Sequence, residues 1–355
     1  MAIIPEKSPS SGTSGSKPSQ RHLQTLRLED VAAAAGVSTI TVSRCMTNPG
    51  RVSAKTREHV LGVAAEMGYL PNRAASTLAS ARSKVVGAVV PTLANPIHAE
   101  MLQGVADMLG PAGYQLLLGT SDYSLATEEH VVRTFLSHSV DAMLLTGRDH
   151  TQSCATLLRR AQVPTVEVFE QIAEPLDLSV GSSNFDAGLS LGQYLIGRGR
   201  RRLAFVGHSD VDDSRIAERR NGISAACAAG SLTPPKEYSA SSDPGSGGGG
   251  EIVGAILRDD PNIDAIVFAG HQIAVGAVRH ALDTGIQVPD RVAVAGFGDS
   301  PIARWIRPSL TTVRFPVREM GREAARLLLA RMSGDELGRD RTVRLGFEII
   351  SRESA

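Results

Sequence analysis

The stretch LEDVAAAAGVSTITVSRCM, at residues 28–46, constrains the fold of this chain more than any other part of its sequence. Apolar residues spaced along one face predict a helix over about 28–35. Gly36 can adopt the positive φ that ends such a helix, and Ser38 is a suitable N-cap for a second one. The sequence therefore predicts two short helices joined by a tight turn.

The second predicted helix has an inward face and an open face. Val42 and Met46 repeat four residues apart, which predicts that they face the neighbouring helix. Thr39, Ile40 and Arg44 fall on other faces. A short helix that is held by its neighbour and presents an arginine outward suits the major groove of DNA. A small helical hairpin that only forms part of a core is the alternative.

The motifs of this region continue in an order that resembles the start of the lactose-repressor (LacI/GalR) family of bacterial regulators. They are Asp-Val-Ala, Ala-Gly-Val-Ser and Thr-Val-Ser-Arg, followed by Asn48-Pro49, Val52-Ser53 and the run GYLPNRAA at 68–75. The resemblance implies DNA binding and assigns base reading to Thr39, Ile40 and Arg44. The full set of DNA contacts that it implies is Ser38, Thr39, Ile40, Thr41, Ser43, Arg44, Asn48, Arg73, Ala75 and Leu78.

Two further elements follow the helix pair. Ser53 as N-cap and Gly68 as terminator predict a third helix over about 53–67. Residues 73–81 are too few for a helix that is stable in isolation. This segment resembles the hinge helix of the family, which orders on DNA and enters the minor groove, and Leu78 matches its wedge leucine. On spacing alone, an ordinary linker with one leucine fits equally well.

Length and charge bound the interpretation of the rest. A chain of 355 residues is long enough for two or three domains, and its formal net charge is zero. Residues 23–82, in contrast, hold seven basic and four acidic side chains, a local charge of +3 that attracts phosphate. The first 22 residues are rich in Ser, Pro and Gly, so we expect a disordered tail there.

Several classes of protein are disfavoured by what the sequence lacks. Cys45, Cys154 and Cys227 have no metal-ligand spacing, so we expect neither a disulfide nor a metal site. No apolar run reaches the length of a membrane span and no secretion leader opens the chain, which favours a cytoplasmic protein. We expect no cofactor and no enzymatic activity, because no catalytic grouping has motif context and the glycines at 245–250 lack the Gly-Lys-Ser of a phosphate loop.

From residue 85 onward, apolar strands alternate with helical stretches, which predicts parallel sheets built from right-handed βαβ units. The hydrophilic stretch 170–184 interrupts the series, so two α/β lobes fit better than one sheet. This pattern resembles the periplasmic-binding-protein fold that the family carries behind its DNA-binding head. The strands are predicted at 85–90, 114–119, 142–146, 165–169, 203–207, 265–270 and 292–297.

The predicted domains follow from these elements. They are a disordered tail (1–22), an all-α helix-turn-helix DNA-binding domain (23–70), a hinge helix or linker (71–83) and an effector-binding and dimerisation domain (84–350). Lobe 1 of the last domain is predicted at about 84–182 and 315–335, and lobe 2 at about 183–314 and 340–350.

In such lobes a ligand lies in the cleft at the carboxyl ends of the strands. Arg215 and Arg219 follow the strand at 203–207 and lie four residues apart, on one face if helical. Arg219 matches the effector-binding arginine of the family, and Arg215 matches a basic position of its gluconate-type members. Paired guanidinium groups suit a carboxylate or a phosphate. A solvated charged helix is the alternative, because Glu218 and Arg220 stand beside them.

Two departures from the family pattern favour an anionic effector. Gly298 stands where the family has an aspartate, and Gly270-His271 stand where it has an Asn-Asp pair, so two carboxylates are missing from the predicted cleft. His98 stands where relatives often have an aromatic ring. Two interpretations of His98 fit this position: a donor to an acidic ligand, or a surface histidine at a helix start.

Further stretches resemble the gluconate-repressor branch of the family. They include Val-x-Pro-x-Leu-x-Asn at 89–95 and Glu167 after Pro164. The resemblance therefore implies a sugar acid such as gluconate as effector. The effector-binding residues that it implies are His98, Glu167, Arg215, Arg219, His271 and Gly298.

The sequence as a whole resembles a transcriptional regulator, expected to repress by binding a palindromic operator as a homodimer and to leave DNA when effector binds. No leucine-heptad tail ends the chain, which favours a dimer over a tetramer. The same regulator responding to a neutral sugar or a purine is an alternative. A solute-binding protein of the same fold would need a secretion leader and no DNA-binding head.

Overall fold

The computed structural model describes residues 26–47, 49–69, 82–208, 213–240, 250–335 and 341–355. The predicted N-terminal tail and the predicted hinge helix at 73–81 lie outside these ranges. Contacts divide the chain between residues 81 and 82 into two units, which are described separately below.

The first unit holds three helices, Leu28–Ala35 (α1), Thr39–Thr47 (α2) and Ala54–Glu66 (α3), with a 3₁₀ turn at Pro49–Arg51. Gly36 ends α1 with φ of 64°. The backbone N–H groups of Thr41 and Thr56 donate to the N-cap hydroxyls of Ser38 and Ser53, each at 3.2 Å. All three helices predicted from the sequence are therefore confirmed.

A small apolar cluster holds these helices together. Each helix contributes a fully buried valine: Val31 from α1, Val42 from α2 and Val60 from α3. Cys45, on the inward face of α2, is buried in the same cluster as a free thiol. Because one face of α2 is buried in this cluster, the opposite face must point away from it. Packing therefore determines which side chains of α2 are exposed.

The second unit contains two six-stranded sheets, one in each lobe. The lobe 1 sheet has the order β11-β5-β4-β3-β1-β2 and is parallel throughout. Its strands are Val85–Val90 (β1), Gln115–Thr120 (β2), Ala142–Thr146 (β3), Thr165–Glu170 (β4), Leu178–Ser182 (β5) and Thr342–Arg344 (β11).

The lobe 2 sheet has the order β12-β10-β9-β8-β6-β7, and only its β10–β12 pair is antiparallel within the part of the chain that is described. Its strands are Leu203–His208 (β6), Lys236–Ala240 (β7), Ala265–Phe268 (β8), Ala293–Phe297 (β9), Thr311–Arg314 (β10) and Glu348–Ile350 (β12).

Helices cover the faces of both sheets, and buried apolar clusters fill the layers between them. They are Pro96–Leu109 (α4), Leu125–Ser137 (α5), Gln152–Ala161 (α6), Asn184–Gly197 (α7), Ser214–Ala229 (α8), Gly250–Asp259 (α9), His271–Asp283 (α10), Pro301–Trp305 (α11) and Val317–Ser333 (α12). The expected two-lobed α/β architecture is confirmed.

Several strands of these sheets were not predicted from the sequence. The stretch 170–184, taken as a break between lobes, contains strand β5, whose five residues are all buried. Ser179, Gly181 and Ser182 hid this strand from a search for apolar runs, although main-chain pairing with β4 is complete along it. The short strands β7, β10, β11 and β12 were missed because they lie at sheet edges or carry few apolar residues.

The C-terminal part of the chain differs from the expected division of the lobes. The sequence assigned all of 340–350 to lobe 2. In the structure, strand β11 pairs with β5 in lobe 1, and only β12 pairs with β10 in lobe 2. The chain therefore crosses between the lobes once more, between Arg344 and Glu348.

Candidate functional site

A cavity of about 320 Å³ lies between the two lobes, where the carboxyl ends of the parallel strands of both sheets meet. Five of the six residues implied by sequence line it, namely His98, Arg215, Arg219, His271 and Gly298. Its remaining lining includes Asn95, Asp122, Tyr123, Phe169, Asp213, Phe297 and Phe315.

Arg219 is held deep in this cavity by uncharged groups. Its Nε donates to Asn184 Oδ1 at 2.9 Å and its Nη1 donates to the Ala269 carbonyl at 2.7 Å. The rings of Phe297 and Phe315 lie 4.9 and 5.5 Å from the guanidinium carbon. Burial, and after it the positive charge of Arg215, lowers the pKa of Arg219 to about 10, so the group is still charged at pH 7.

No carboxylate among the described residues lies within ion-pair distance of Arg219. Its Nη2 donates no hydrogen bond to any described residue. Close helix packing fixes the backbone of this residue. Gly188 of α7 faces the Arg219 carbonyl, and a methyl group at Gly188 would collide with it. The arrangement therefore offers a fixed, charged donor to an anionic ligand atom.

The charge of Arg215, in contrast, is neutralised by Asp213, two residues before it in the sequence. Its Nε and Nη2 donate to the two carboxylate oxygens of Asp213 at 2.8 and 2.5 Å. Burial alone would raise the pKa of Asp213, but the charge and hydrogen bonds of Arg215 hold it at about 2. The sequence interpretation paired Arg215 with Arg219 against a ligand anion. The structure gives Arg215 an internal anion instead.

Two buried histidines contribute neutral imidazoles. Burial lowers the pKa of both His98 and His271 to about 4. His98 Nδ1 lies 2.7 Å from the Thr92 carbonyl, so Nδ1 carries the hydrogen and Nε2 is left as an acceptor. The expectation that His98 donates to an acid is therefore wrong for the neutral ring; its Nε2 suits a hydroxyl group.

His271 begins helix α10 and is 1% exposed. Its Nε2 is buried and has no hydrogen-bond partner among the described residues. A buried polar atom that lacks a partner is costly unless a ligand satisfies it. His271 is thus a second ring nitrogen that is available to a polar ligand.

The surroundings of Gly298 explain why one of the two carboxylates expected from the family pattern is absent. Its φ is 95°, and a Cβ there would collide with Ile97 and would lie 2.7 Å from His271 Nδ1. The next residue, Asp299, does not replace the missing carboxylate, because it pairs with Arg314 at 2.7 Å and with Arg352 at 2.6 Å. The structure therefore has no room for a side chain at this position.

Three lining residues adopt positive φ without being glycine. They are Asp122 (48°), Tyr123 (58°) and Phe169 (77°). Such backbone conformations cost free energy and concentrate at functional sites. Three aromatic lining residues, Phe169, Phe297 and Phe315, were not predicted from the sequence. Their places at or just beyond strand ends were the available signal.

Glu167 does not line the cavity. It is 2% exposed, its Oε2 accepts from the Leu176 N–H at 2.5 Å, and its Oε1 lies 3.4 Å from His150 Nε2. The implied role of Glu167 in effector binding therefore has no support from its position. Its carboxylate belongs to a buried cluster inside lobe 1, which is treated separately below.

The open face of α2 forms the second candidate site, in the first unit. Ile40 is 61% exposed and Arg44 is exposed, while Thr39, Thr41 and Ser43 are half-buried. Ser38 precedes the helix, and its Oγ lies 2.9 Å from Thr41 Oγ1. Polar side chains and one arginine on an exposed helix face are typical of a helix that contacts bases in the major groove of DNA. Of the other implied DNA contacts, Asn48, Arg73, Ala75 and Leu78 lie outside the described residues.

Nothing in the described ranges points to a metal centre or a membrane span. No group of three or more His, Cys, Asp or Glu side chains is placed to hold a metal ion there. None of the described helices combines the length and the apolar character needed to cross a bilayer.

A helix-turn-helix head and a two-lobed α/β domain with an interlobe cavity together define a DNA-binding regulator that carries a small-molecule site. Residues 27–72 match the family of bacterial regulatory proteins, lacI family, and residues 193–355 match a periplasmic binding protein-like domain. The chain belongs to the lacI family of bacterial regulatory proteins, and it is a DNA-binding transcriptional regulator.

Relatives and solved structures agree with this assignment. The chain is 35% identical to the HTH-type transcriptional regulator GntR of Pseudomonas aeruginosa over 92% of its length and 95% of that protein. A lacI family regulator from Silicibacter pomeroyi superposes with a TM-score of 0.85 at 30% identity, over 93% of this chain and 99% of that one. The regulator GntR from Chromobacterium violaceum superposes with a TM-score of 0.72 at 33% identity, over 76% and 98%.

Proposed function

We propose that this regulator is a repressor that acts in the cytoplasm, binds a palindromic operator as a homodimer and is released by a small sugar acid such as gluconate. The observation that carries the effector class is the environment of Arg219. A partly buried guanidinium with a free Nη2 and no carboxylate partner in the described part of the chain fits a ligand carboxylate.

The remaining polar groups of the cavity fit the rest of such a ligand. His98 and His271 present neutral ring nitrogens, which suit hydroxyl groups better than a second negative charge. Aromatic rings at Phe169, Phe297 and Phe315 cover apolar faces. A cavity of about 320 Å³ accommodates a six-carbon polyhydroxy acid with its bound water.

A neutral sugar is the second candidate, and one observation favours it. Asp213 cancels the charge of Arg215, and Asp122 adds another carboxylate to the lining. The cavity then holds two cations and two carboxylates, so its overall charge does not select an anion. The local environment of Arg219 and the overall charge of the cavity therefore favour different ligands, which calorimetry can distinguish.

Release from DNA is proposed to follow from closure of the lobes around effector. Polar contacts already cross the cleft in the structure, such as Gln272 Nε2 donating to the Ala94 carbonyl at 3.3 Å. A ligand that binds both lobes favours the arrangement in which they approach each other. Coupling between the cavity and the DNA-binding residues then needs only a few kcal/mol, about 1–3.

The experiment is calorimetry of the full chain with gluconate, 2-ketogluconate, 6-phosphogluconate, ribose and hypoxanthine. We expect an acid to bind wild type and Arg219→Ala to weaken that binding at least about tenfold, since a charged hydrogen-bond pair is lost. Arg220→Ala is the matched control, because Arg220 is next in sequence but pairs with Glu237 on the surface. Binding of only ribose or hypoxanthine would refute the acid effector.

Operator binding and oligomeric state are tested separately. Gel shift with genomic fragments should select a palindromic site, and footprinting should show symmetric protection. Ultracentrifugation at micromolar concentration should give twice the chain mass of 37.4 kDa. A monomer that binds an asymmetric site would contradict the dimeric reading of DNA.

A further inference from the structure

A cluster of three buried ionisable groups lies in lobe 1, outside the effector cavity. His150 Nδ1 lies 2.6 Å from Glu128 Oε1, and His150 Nε2 lies 3.4 Å from Glu167 Oε1. The side chains of His150, Glu128 and Glu167 are between 3% and 6% exposed. Burying three such groups is expensive, so their retention in an apolar layer calls for a reason beyond stability.

The other charged and titratable groups packed around this cluster are few. Glu129 and Arg133 of helix α5 pair with each other at 2.8 Å, and the thiol of Cys154 is fully buried beside them. Burial would lower the pKa of His150, but the hydrogen bond to Glu128 and the negative charges of Glu128 and Glu167 raise it to about 9. Nε2 is close to Glu167 without making a hydrogen bond to it. His150 is therefore an imidazolium at neutral pH, shared by two carboxylates.

The two residues that precede His150 reach across the cleft to lobe 2. Arg148 Nη2 donates to Glu218 Oε1 at 3.3 Å, and Asp149 Oδ2 accepts from the Ser214 N–H at 3.2 Å. Both partners lie in helix α8, which also carries Arg219. The loop after strand β3 thus connects lobe 1 directly to the helix that presents the candidate effector-binding arginine.

The same loop is tied to Glu170 at the end of strand β4. The Arg148 N–H donates to Glu170 Oε1 at 3.2 Å, and Ser214 Oγ donates to both Glu170 oxygens at 3.0 and 3.1 Å. The contact across the cleft is therefore a network of several groups. Its geometry depends on how firmly residues 147–151 are fixed to lobe 1.

We propose that His150, held between Glu128 and Glu167, is a positioning residue for the effector response: it fixes the loop whose Arg148 and Asp149 hold helix α8 across the cleft. The side chain touches no ligand. It acts by fixing the position at which lobe 1 contacts lobe 2. This position influences the equilibrium between the open and closed arrangements of the lobes. The link to the effector rests on the proposed function, whereas the link to helix α8 does not.

The first test follows amide hydrogen exchange in the ligand-free full chain. His150→Gln should speed exchange about tenfold in residues 147–151 and also in residues 214–219, which lie in the other lobe. Helix α12 should not change. His138→Gln is the matched control, since His138 is an exposed histidine of the same lobe. Unchanged exchange in 214–219 in a folded variant would overturn the proposal, whatever the effector is.

The second test is a double-mutant cycle read by calorimetry with gluconate. His150→Gln alone should raise the dissociation constant about fivefold, because the closed arrangement loses its anchor. In an Arg148→Ala, Asp149→Ala background, the same substitution should change it less than about twofold. A residue that merely supports the fold would lower the melting temperature and leave this dissociation constant unchanged in both backgrounds.

A neutral variant guards against loss of folding. His150→Gln leaves two carboxylates buried together, so Glu128→Gln, His150→Gln is made as well, with amides in place of both charges. We expect the same changes in exchange and in gluconate binding. If wild type binds no gluconate, the proposed effector fails, and the exchange experiment still decides the role of His150.

Discussion

Helix α2 and the cavity between the lobes, the two candidate sites of this chain, have opposite architectures. On α2, Ile40 and Arg44 stand on an open face, while Val42 and Cys45 pack into the core of the first unit. In the cavity, the two arginines are partly buried and each is bound by another protein group, Arg215 by Asp213 and Arg219 by Asn184. The first surface consists of independent groups and the second of a network.

This difference has consequences for substitution. A side chain on an open helix face can be removed without disturbing its neighbours, so its loss should affect DNA binding alone. A cavity side chain shares its partners, so its loss should change stability, charge and the positions of other groups together.

Gly298→Ala should destabilise the protein by about 2–4 kcal/mol, since it combines positive-φ strain with overpacking against Ile97 and His271. Gly285→Ala is the matched control, because Gly285 also has positive φ (72°) but has open space around its Cβ position. That variant should lose only about 1 kcal/mol. Urea unfolding measures both, and equal losses would show that crowding at Gly298 is unimportant.

His150 should make stability depend on pH between about 6.5 and 9. Its folded pKa of about 9 lies above the ordinary histidine value of 6.5, so its contribution to stability is complete below pH 6.5 and is lost as pH rises through 9. The loss should approach about 3 kcal/mol. His98 and His271, with folded pKa values of about 4, make stability rise with pH instead, and this rise ends about one pH unit above 6.5, where the unfolded rings have lost their protons.

Urea unfolding at intervals from about pH 7.5 to 9.5 measures this dependence, because His98 and His271 no longer contribute there. The Glu128→Gln, His150→Gln variant should give a flat profile over that range, since it lacks the titrating imidazole. A wild-type profile that is equally flat would show that His150 is not an imidazolium at neutral pH.

The same contrast explains how far the sequence could predict each region. Turn chemistry at Gly36 and a cap at Ser38 are local, so the helices of the head followed from neighbouring residues. Strand β5 was missed because Ser179, Gly181 and Ser182 interrupt its apolar residues, and its pairing with β4 joins segments that are not adjacent in sequence. Sheet periodicity still predicted two lobes and the end at which a cavity forms.

Within the cavity, spacing predicted that Arg215 and Arg219 share a helix but not which of them is free. That depends on Asp213 and Asn184, one beside Arg215 in sequence and the other 35 residues from Arg219. Glu167 was assigned to the cavity through the resemblance to the gluconate-repressor branch, and its orientation toward His150 could not be predicted from the sequence. Networks between distant residues are what one sequence conveys least.

Arg44→Ala should weaken operator binding by about 1–3 kcal/mol and relax base preference at one position. Ile40→Ala should also weaken operator binding, and stability should change by less than about 0.5 kcal/mol in both variants because the side chains are exposed. Val42→Ala, from the buried face, should lose stability instead. Fluorescence anisotropy with operator and random DNA measures binding; equal losses on both DNAs would show that Arg44 contacts only phosphate.

Asp213→Asn should tighten binding of an acid effector about tenfold, or about 1.4 kcal/mol, because it frees Arg215 to join Arg219 on the ligand carboxylate. Asparagine is as good an N-cap as aspartate, so the start of helix α8 should be preserved. Binding of a neutral sugar should not improve. Asp283→Asn removes an equal charge from an exposed pair with Arg279 and should change neither ligand. Calorimetry with gluconate and ribose compares the variants. Weaker gluconate binding in Asp213→Asn would mean that Asp213 aligns Arg215 for the ligand, so that the internal pair belongs to the binding site and does not compete with effector.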